Sequence, residues 1–183
     1  MNEPTYLPLL NSIAVNECKG QKLLDAWAST TTDEALAKVL RFVAIREGEH
    51  AMAFTKRMCE LGHAVCEDAA YPVFKDFDGL VACVESSLSD ADKVARLQGR
   101  RGSEERKDPF MSFFNDTTID PQTGELLGRY IAEERDSGRR LRAEYDRVCG
   151  MSTTTTSELA ELKACVAELR QEVAKLKGMR SVA

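Results

Sequence analysis

Apolar residues recur three and four positions apart along most of the chain, which is the spacing of one face of an α-helix. The pattern predicts four helices, over about residues 6–29, 33–61, 76–97 and 123–148. The connection at 63–75 is long enough to lead from one end of a helical bundle to the other. The sequence therefore predicts an all-α protein in which residues 1–150 form a four-helix bundle.

A stricter apolar repeat follows residues 151–157, a polar stretch that we interpret as a linker. Over residues 158–180 the apolar side chains keep heptad spacing, with Val at the a positions and Leu at the d positions: Leu162, Val166, Leu169, Val173 and Leu176. This combination favours two parallel helices in a coiled coil. The pattern therefore predicts a coiled coil that joins two copies of the chain into a homodimer. The alternative is a helix that folds back onto its own bundle.

Composition narrows the range of partners and compartments. The net charge of −5 argues against nucleic acid or an anionic membrane as the main partner. No stretch is long and apolar enough to span a bilayer, and the first residues lack the basic start and apolar run of a signal peptide. The six cysteines form no Cys-x-x-Cys pair, so we interpret them as reduced thiols. These features lead us to expect a cytoplasmic protein.

Charged residues interrupt the apolar faces of the predicted helices. Glu17 does so in the first helix, Glu47 and His50 in the second, and Glu134 in the fourth, while Glu85 is a further inward candidate in the third. A carboxylate that faces a core is costly unless a cation or a metal ion pairs with it. Because carboxylates and imidazole are good metal ligands, these five residues form a predicted metal site.

With this arrangement the chain resembles the ferritin-like superfamily, on its rubrerythrin-like side. The likeness covers about residues 6–149 and is strongest at Asn16-Glu17 and at Arg46-Glu47-Gly48-Glu49-His50-Ala51. In that family, two helices each supply one Glu and two supply Glu-x-x-His to a di-iron site. The resemblance implies two iron ions in the bundle and oxidoreductase chemistry on oxygen, peroxide or ferrous iron.

The chain departs from the family pattern in its second half. Ser137 stands three residues after Glu134, where the pattern calls for a second His. His63 cannot replace it, because it lies about 20 Å beyond His50 along a helix with a rise of 1.5 Å per residue. The predicted site therefore has up to four carboxylates and one imidazole, a set that suits iron or manganese better than copper.

Three interpretations remain open on the sequence. The first is a working di-metal oxidoreductase, which would take its electrons from outside because the chain has no rubredoxin-type cysteine quartet. The second is a non-catalytic dimeric scaffold or interaction module that binds one metal ion or none. In the third, Glu17, Glu47 and Glu134 simply satisfy His50 and one another.

Overall fold

A computed structural model describes residues 4–74, 76–99 and 116–150. Within these ranges the chain forms five α-helices and no strand: α1 (Leu7–Thr30), α2 (Glu34–Glu60), α3 (Phe77–Glu85), α4 (Asp90–Gly99) and α5 (Pro121–Val148). The all-α prediction is confirmed. The predicted linker at 151–157 and coiled coil at 158–180 lie outside the described residues. The chain divides into two units, Met1–Glu144 and Tyr145–Ala183, and the interactions below all belong to the first.

α1 and α2 are consecutive helices that pack against each other in the first unit. A three-residue connection separates them, and the Asp33 side chain begins α2 by accepting a hydrogen bond from the Leu36 N–H at 2.9 Å. At the other end Gly62, with φ of +86°, follows the last turn of α2. α1 packs closely against α2 and also against α3. The bounds of both helices agree with the sequence prediction to within one residue.

The core between α1, α2 and α5 is apolar at one end. Ile13 and Leu10 of α1 meet Phe54 and Met58 of α2, and α5 completes the cluster with Leu127, Tyr130 and Ile131. Burying each large side chain contributes about 2 kcal/mol. The start of α5 is held by Arg57 of α2, whose side chain donates to Thr123 Oγ1 at 2.9 Å and forms an ion pair with Asp120 at 2.9 Å.

The prediction of one continuous third helix is wrong, because the helix is interrupted between Glu85 and Asp90. Ser86 is extended (φ −71°, ψ 168°), and its hydroxyl donates to the carbonyl of Cys83 at 2.6 Å. Ser89 Oγ then accepts from the Asp92 N–H at 3.1 Å and so begins α4. Serine hydroxyls compete with the helical hydrogen bonds of the backbone, and they divide this stretch into two short helices.

No helix in the described part of the chain combines the length and the apolar character needed to cross a membrane.

Candidate metal centre

Three helices direct charged side chains to one buried place. Glu17 comes from α1, His50 from α2 and Glu134 from α5, and one ligand atom from each lies within 4.8 Å of the others. Glu17 is 6% exposed and His50 is 1% exposed. Helical spacing explains the convergence, since each residue occupies a position where its helix otherwise faces the core. The chain thus contains a buried Glu–His–Glu group that could hold a metal ion.

The two ring nitrogens of His50 face different carboxylates. Nδ1 lies 3.2 Å from Glu17 Oε2 and 3.4 Å from Glu134 Oε1. Nε2 lies 2.8 Å from Glu133 Oε2. The ring is therefore held on one side by a residue that the sequence did not single out, while its other nitrogen faces the two predicted ligands. Such an outer carboxylate fixes the orientation of a metal-binding imidazole.

The electrostatics of the group favour a cation at its middle. Burial opposes a charge on His50, but contacts with the carboxylates of Glu134, Glu17 and Glu133 outweigh it and raise the pKa of the ring to about 10. Burial, together with the negative charges of Glu17 and Glu134, raises the pKa of the Glu47 carboxyl to about 10. Without a metal ion, protons on His50 and Glu47 therefore offset only part of the negative charge of the centre.

Tyr130 supports the centre from α5. Its hydroxyl donates to Glu17 Oε1 at 2.8 Å, and its ring meets the rings of His50 and Phe54 edge to face, at centroid distances of 4.9 Å and 5.1 Å. Burial and the charges of Glu17 and Glu134 raise the pKa of the phenol, which therefore stays a proton donor. Sequence reasoning missed Tyr130, although it lies four residues before Glu134 and therefore on the same face of α5.

The Glu47 side chain lies against Gly20 of α1, where no side chain is in its way. A Cβ at Gly20 would collide with the Glu47 carboxylate, whose Cδ would lie 3.2 Å from it. The missing side chain of Gly20 therefore leaves the room in which the Glu47 carboxylate sits. From there the charges of Glu17, Glu134 and His50 all act on it. Glu47 lies beside the Glu–His–Glu group and can serve as a further ligand.

The structure does not bring Glu85 to the centre. It is the last residue of α3 and is exposed, while Val84 beside it is fully buried. The prediction that Glu85 is an inward ligand is wrong. The predicted helix would have continued past Glu85 with one buried face, but α3 ends at Glu85 and Ser86 is already extended. Of the five predicted ligands, the structure thus brings Glu17, His50 and Glu134 together, with Glu47 beside them.

Ser137, where the family resemblance calls for a second imidazole, is 2% exposed and has another partner. Arg46 Nη1 donates to Ser137 Oγ at 3.1 Å, to the Glu133 carbonyl at 3.0 Å and to Asp136 Oδ2 at 3.1 Å. A guanidinium therefore stands in this part of the site. Sequence reasoning noted Arg46 only as part of the motif. Its position lies beside the core face of α2, and helical spacing does not show that a long side chain reaches inward from there.

One atom tests whether a metal ion suits these residues. Among the described residues, Glu134 Oε1 is a buried side-chain oxygen without a hydrogen-bond partner, and its 3.4 Å approach to His50 Nδ1 is an ion pair without hydrogen-bond geometry. A buried carboxylate oxygen left in this way is costly. It faces a second carboxylate and an imidazole, and such a mixed set of donors binds first-row divalent metal ions. The residues fit such an ion.

Comparisons with models of known protein families, with curated proteins and with solved structures find no match for this chain.

Proposed function

We propose that this chain is a ferritin-like metal-binding protein whose centre holds iron or manganese and reacts with oxygen, peroxide or ferrous iron. The observation that carries the proposal is the buried Glu134 Oε1, which has no hydrogen-bond partner and lies opposite Glu17 and His50 Nδ1. A divalent ion at this place would satisfy the open oxygen and neutralise both carboxylates. The proposal also follows the resemblance to the ferritin-like superfamily, which is carried by Glu17 and by the segment from Glu47 to His50.

The proposed architecture is a four-helix bundle with an interrupted member. α1, α2 and α5 enclose the centre, and α3 followed by α4 takes the place of the remaining helix. The packing of α1 against α2 and α3, and of α3 against α4, supports this arrangement. The interruption explains why this side of the bundle contributes no ligand, since Glu85 ends a short helix.

The donor set favours iron or manganese. Carboxylate oxygens are hard ligands and imidazole is a borderline one, so the set suits these metals better than copper. When bound, either metal would supply one-electron redox chemistry. The surrounding residues position the donors: Tyr130 orients the Glu17 carboxylate, Glu133 orients His50, and Phe54 packs against Tyr130.

A second candidate function has its own observation. His50 contacts three carboxylates, those of Glu17, Glu133 and Glu134, and a protonated imidazole satisfies part of their charge without any metal. The same helices would then form a non-catalytic scaffold or interaction module, dimeric if the predicted coiled coil forms.

Metal content separates the two functions. The full chain is loaded with ferrous or manganous ion without oxygen, desalted, and analysed for metal per chain by mass spectrometry. We expect the wild type to retain metal and His50→Ala to lose it, while the matched control His63→Ala, at the chain's other histidine, retains it. A folded wild type that retains neither metal would refute metal binding and favour the scaffold. Oxygen or peroxide consumption by the loaded protein then tests the redox reaction itself.

A further inference from the structure

We infer that the centre takes one divalent ion per chain, because Arg46 and Ser137 occupy the place where a second metal ion would need its imidazole. The inference rests on the proposed metal binding and adds the number of ions and the residue that sets it. It departs from what the family resemblance implies, which is a pair of ions in one cavity.

The first argument is the supply of donors. The Glu–His–Glu group offers two carboxylates and one imidazole, which is a donor set for one divalent ion. A second ion would need another imidazole and further carboxylates. Ser137 offers only a hydroxyl, and Glu85 is exposed at the end of α3. Glu47 alone cannot complete a second set.

The second argument is the positive charge of Arg46. Its guanidinium is fixed from several sides: Nη1 makes three hydrogen bonds to α5, and Cζ stacks 4.6 Å from the centre of the Phe42 ring. The side chain is 17% exposed. Arginine keeps its charge at every pH that a folded protein meets. This fixed cation repels a second divalent ion, and its hydrogen bond occupies the oxygen of Ser137.

Arg46 also has a neighbour that serves as a control. Arg140 stacks on the same Phe42 ring at 4.8 Å and donates to the same Asp136 carboxylate at 2.7 Å. Among the described residues, the Arg140 side chain makes no hydrogen bond to Ser137 or Glu133, and it is 50% exposed. Removing Arg140 takes away a similar charge and a similar ring contact, but it leaves the guanidinium on Ser137 in place.

The experiment counts Mn²⁺ per full-length chain by calorimetric titration and records the electron paramagnetic resonance spectrum. We expect wild type to bind one ion, with the hyperfine pattern of isolated Mn²⁺. The variant Arg46→Leu/Ser137→His should bind two and show a spin-coupled signal. The matched control Arg140→Leu/Ser137→His keeps Arg46 and should bind one.

Each outcome has a distinct meaning. Two ions in the wild type would overturn the inference and leave the proposed metal binding intact, whereas no ion would overturn the proposed function itself. A folded Arg46→Leu/Ser137→His that still binds one ion would overturn the role given to Arg46. If that variant does not fold, the wild-type count and its spectrum still decide between one ion and two.

Discussion

Replacing Gly20 by alanine should separate the stability of the helices from the integrity of the centre. Gly20 lies inside α1, where alanine is favoured over glycine by about 1 kcal/mol. The new Cβ, however, would enter the space of the Glu47 carboxylate. Because this group is the far end of a flexible side chain, it can swing away while the two helices keep their packing. The alanine therefore favours the helix by its higher propensity and displaces a carboxylate that we propose as a further metal ligand.

The expected magnitudes have opposite signs. For the metal-free protein, Gly20→Ala should raise the free energy of unfolding by up to about 1 kcal/mol, measured by urea denaturation with circular dichroism. The affinity for Mn²⁺, measured by calorimetry, should fall at least about tenfold, which is the smallest loss typical of a disturbed metal-site residue. A tenfold loss corresponds to about 1.4 kcal/mol of binding free energy.

Gly128→Ala is the matched control. Gly128 lies within α5, and a Cβ there would meet nothing within 4 Å. This change should stabilise the metal-free protein to a similar extent and leave the affinity for Mn²⁺ unchanged. Wild-type affinity in Gly20→Ala would refute the assignment of Glu47 as a ligand. A loss of stability well above 1 kcal/mol would instead show that the Glu47 carboxylate cannot move aside.

Three further predictions concern acid stability, the centre and the tail. Burial raises the pKa of the Asp120 carboxyl, but its hydrogen-bond donors outweigh burial and lower it. The stabilisation of the fold by the charged Asp120 should therefore be present above about pH 4 and be lost on acidification. A thermal-melting series in which Asp120→Asn shows the same loss of stability in acid as the wild type would contradict this. Tyr130→Phe removes the hydrogen bond to Glu17 and should lower the free energy of unfolding by about 1 to 3 kcal/mol in urea denaturation, whereas unchanged stability would show that the bond contributes nothing. Leu169→Lys at a d position should lower the mass seen by light scattering, while Ala167→Lys at an outer position should not; equal masses for the two variants would count against the predicted parallel dimer.

The sequence was a good guide wherever a residue's role follows from its place on a long helix. The 3/4 spacing predicted α1, α2 and α5, and it placed Glu17, His50 and Glu134 on core faces that the structure brings together. This works because a long amphipathic helix has one energetically favoured side to bury. Any polar residue on that side must find a partner there.

Other features depended on local competition or on the reach of side chains. Four residues, Ser86 to Ser89, break the predicted third helix, and the consequence for Glu85 could not be read from apolar spacing. Arg46 and Glu133 stand at the edges of the buried faces and reach the centre because their side chains are long. Helical spacing gives the direction of a side chain from its backbone, but it does not give the atom that the far end of the side chain will contact.

The energetics of the metal-free centre argue for a ligand more strongly than its geometry does. Glycine inside α1 costs about 1 kcal/mol relative to alanine, and Gly20 has no left-handed backbone angle that would require glycine. What the missing side chain permits is the approach of Glu47 to two other carboxylates, which raises the pKa of its carboxyl to about 10 and destabilises its charged form. An apolar residue at position 47 and an alanine at position 20 would make a more stable pair of helices. A metal ion at the proposed site would offset this cost, whereas a scaffold would gain nothing from it.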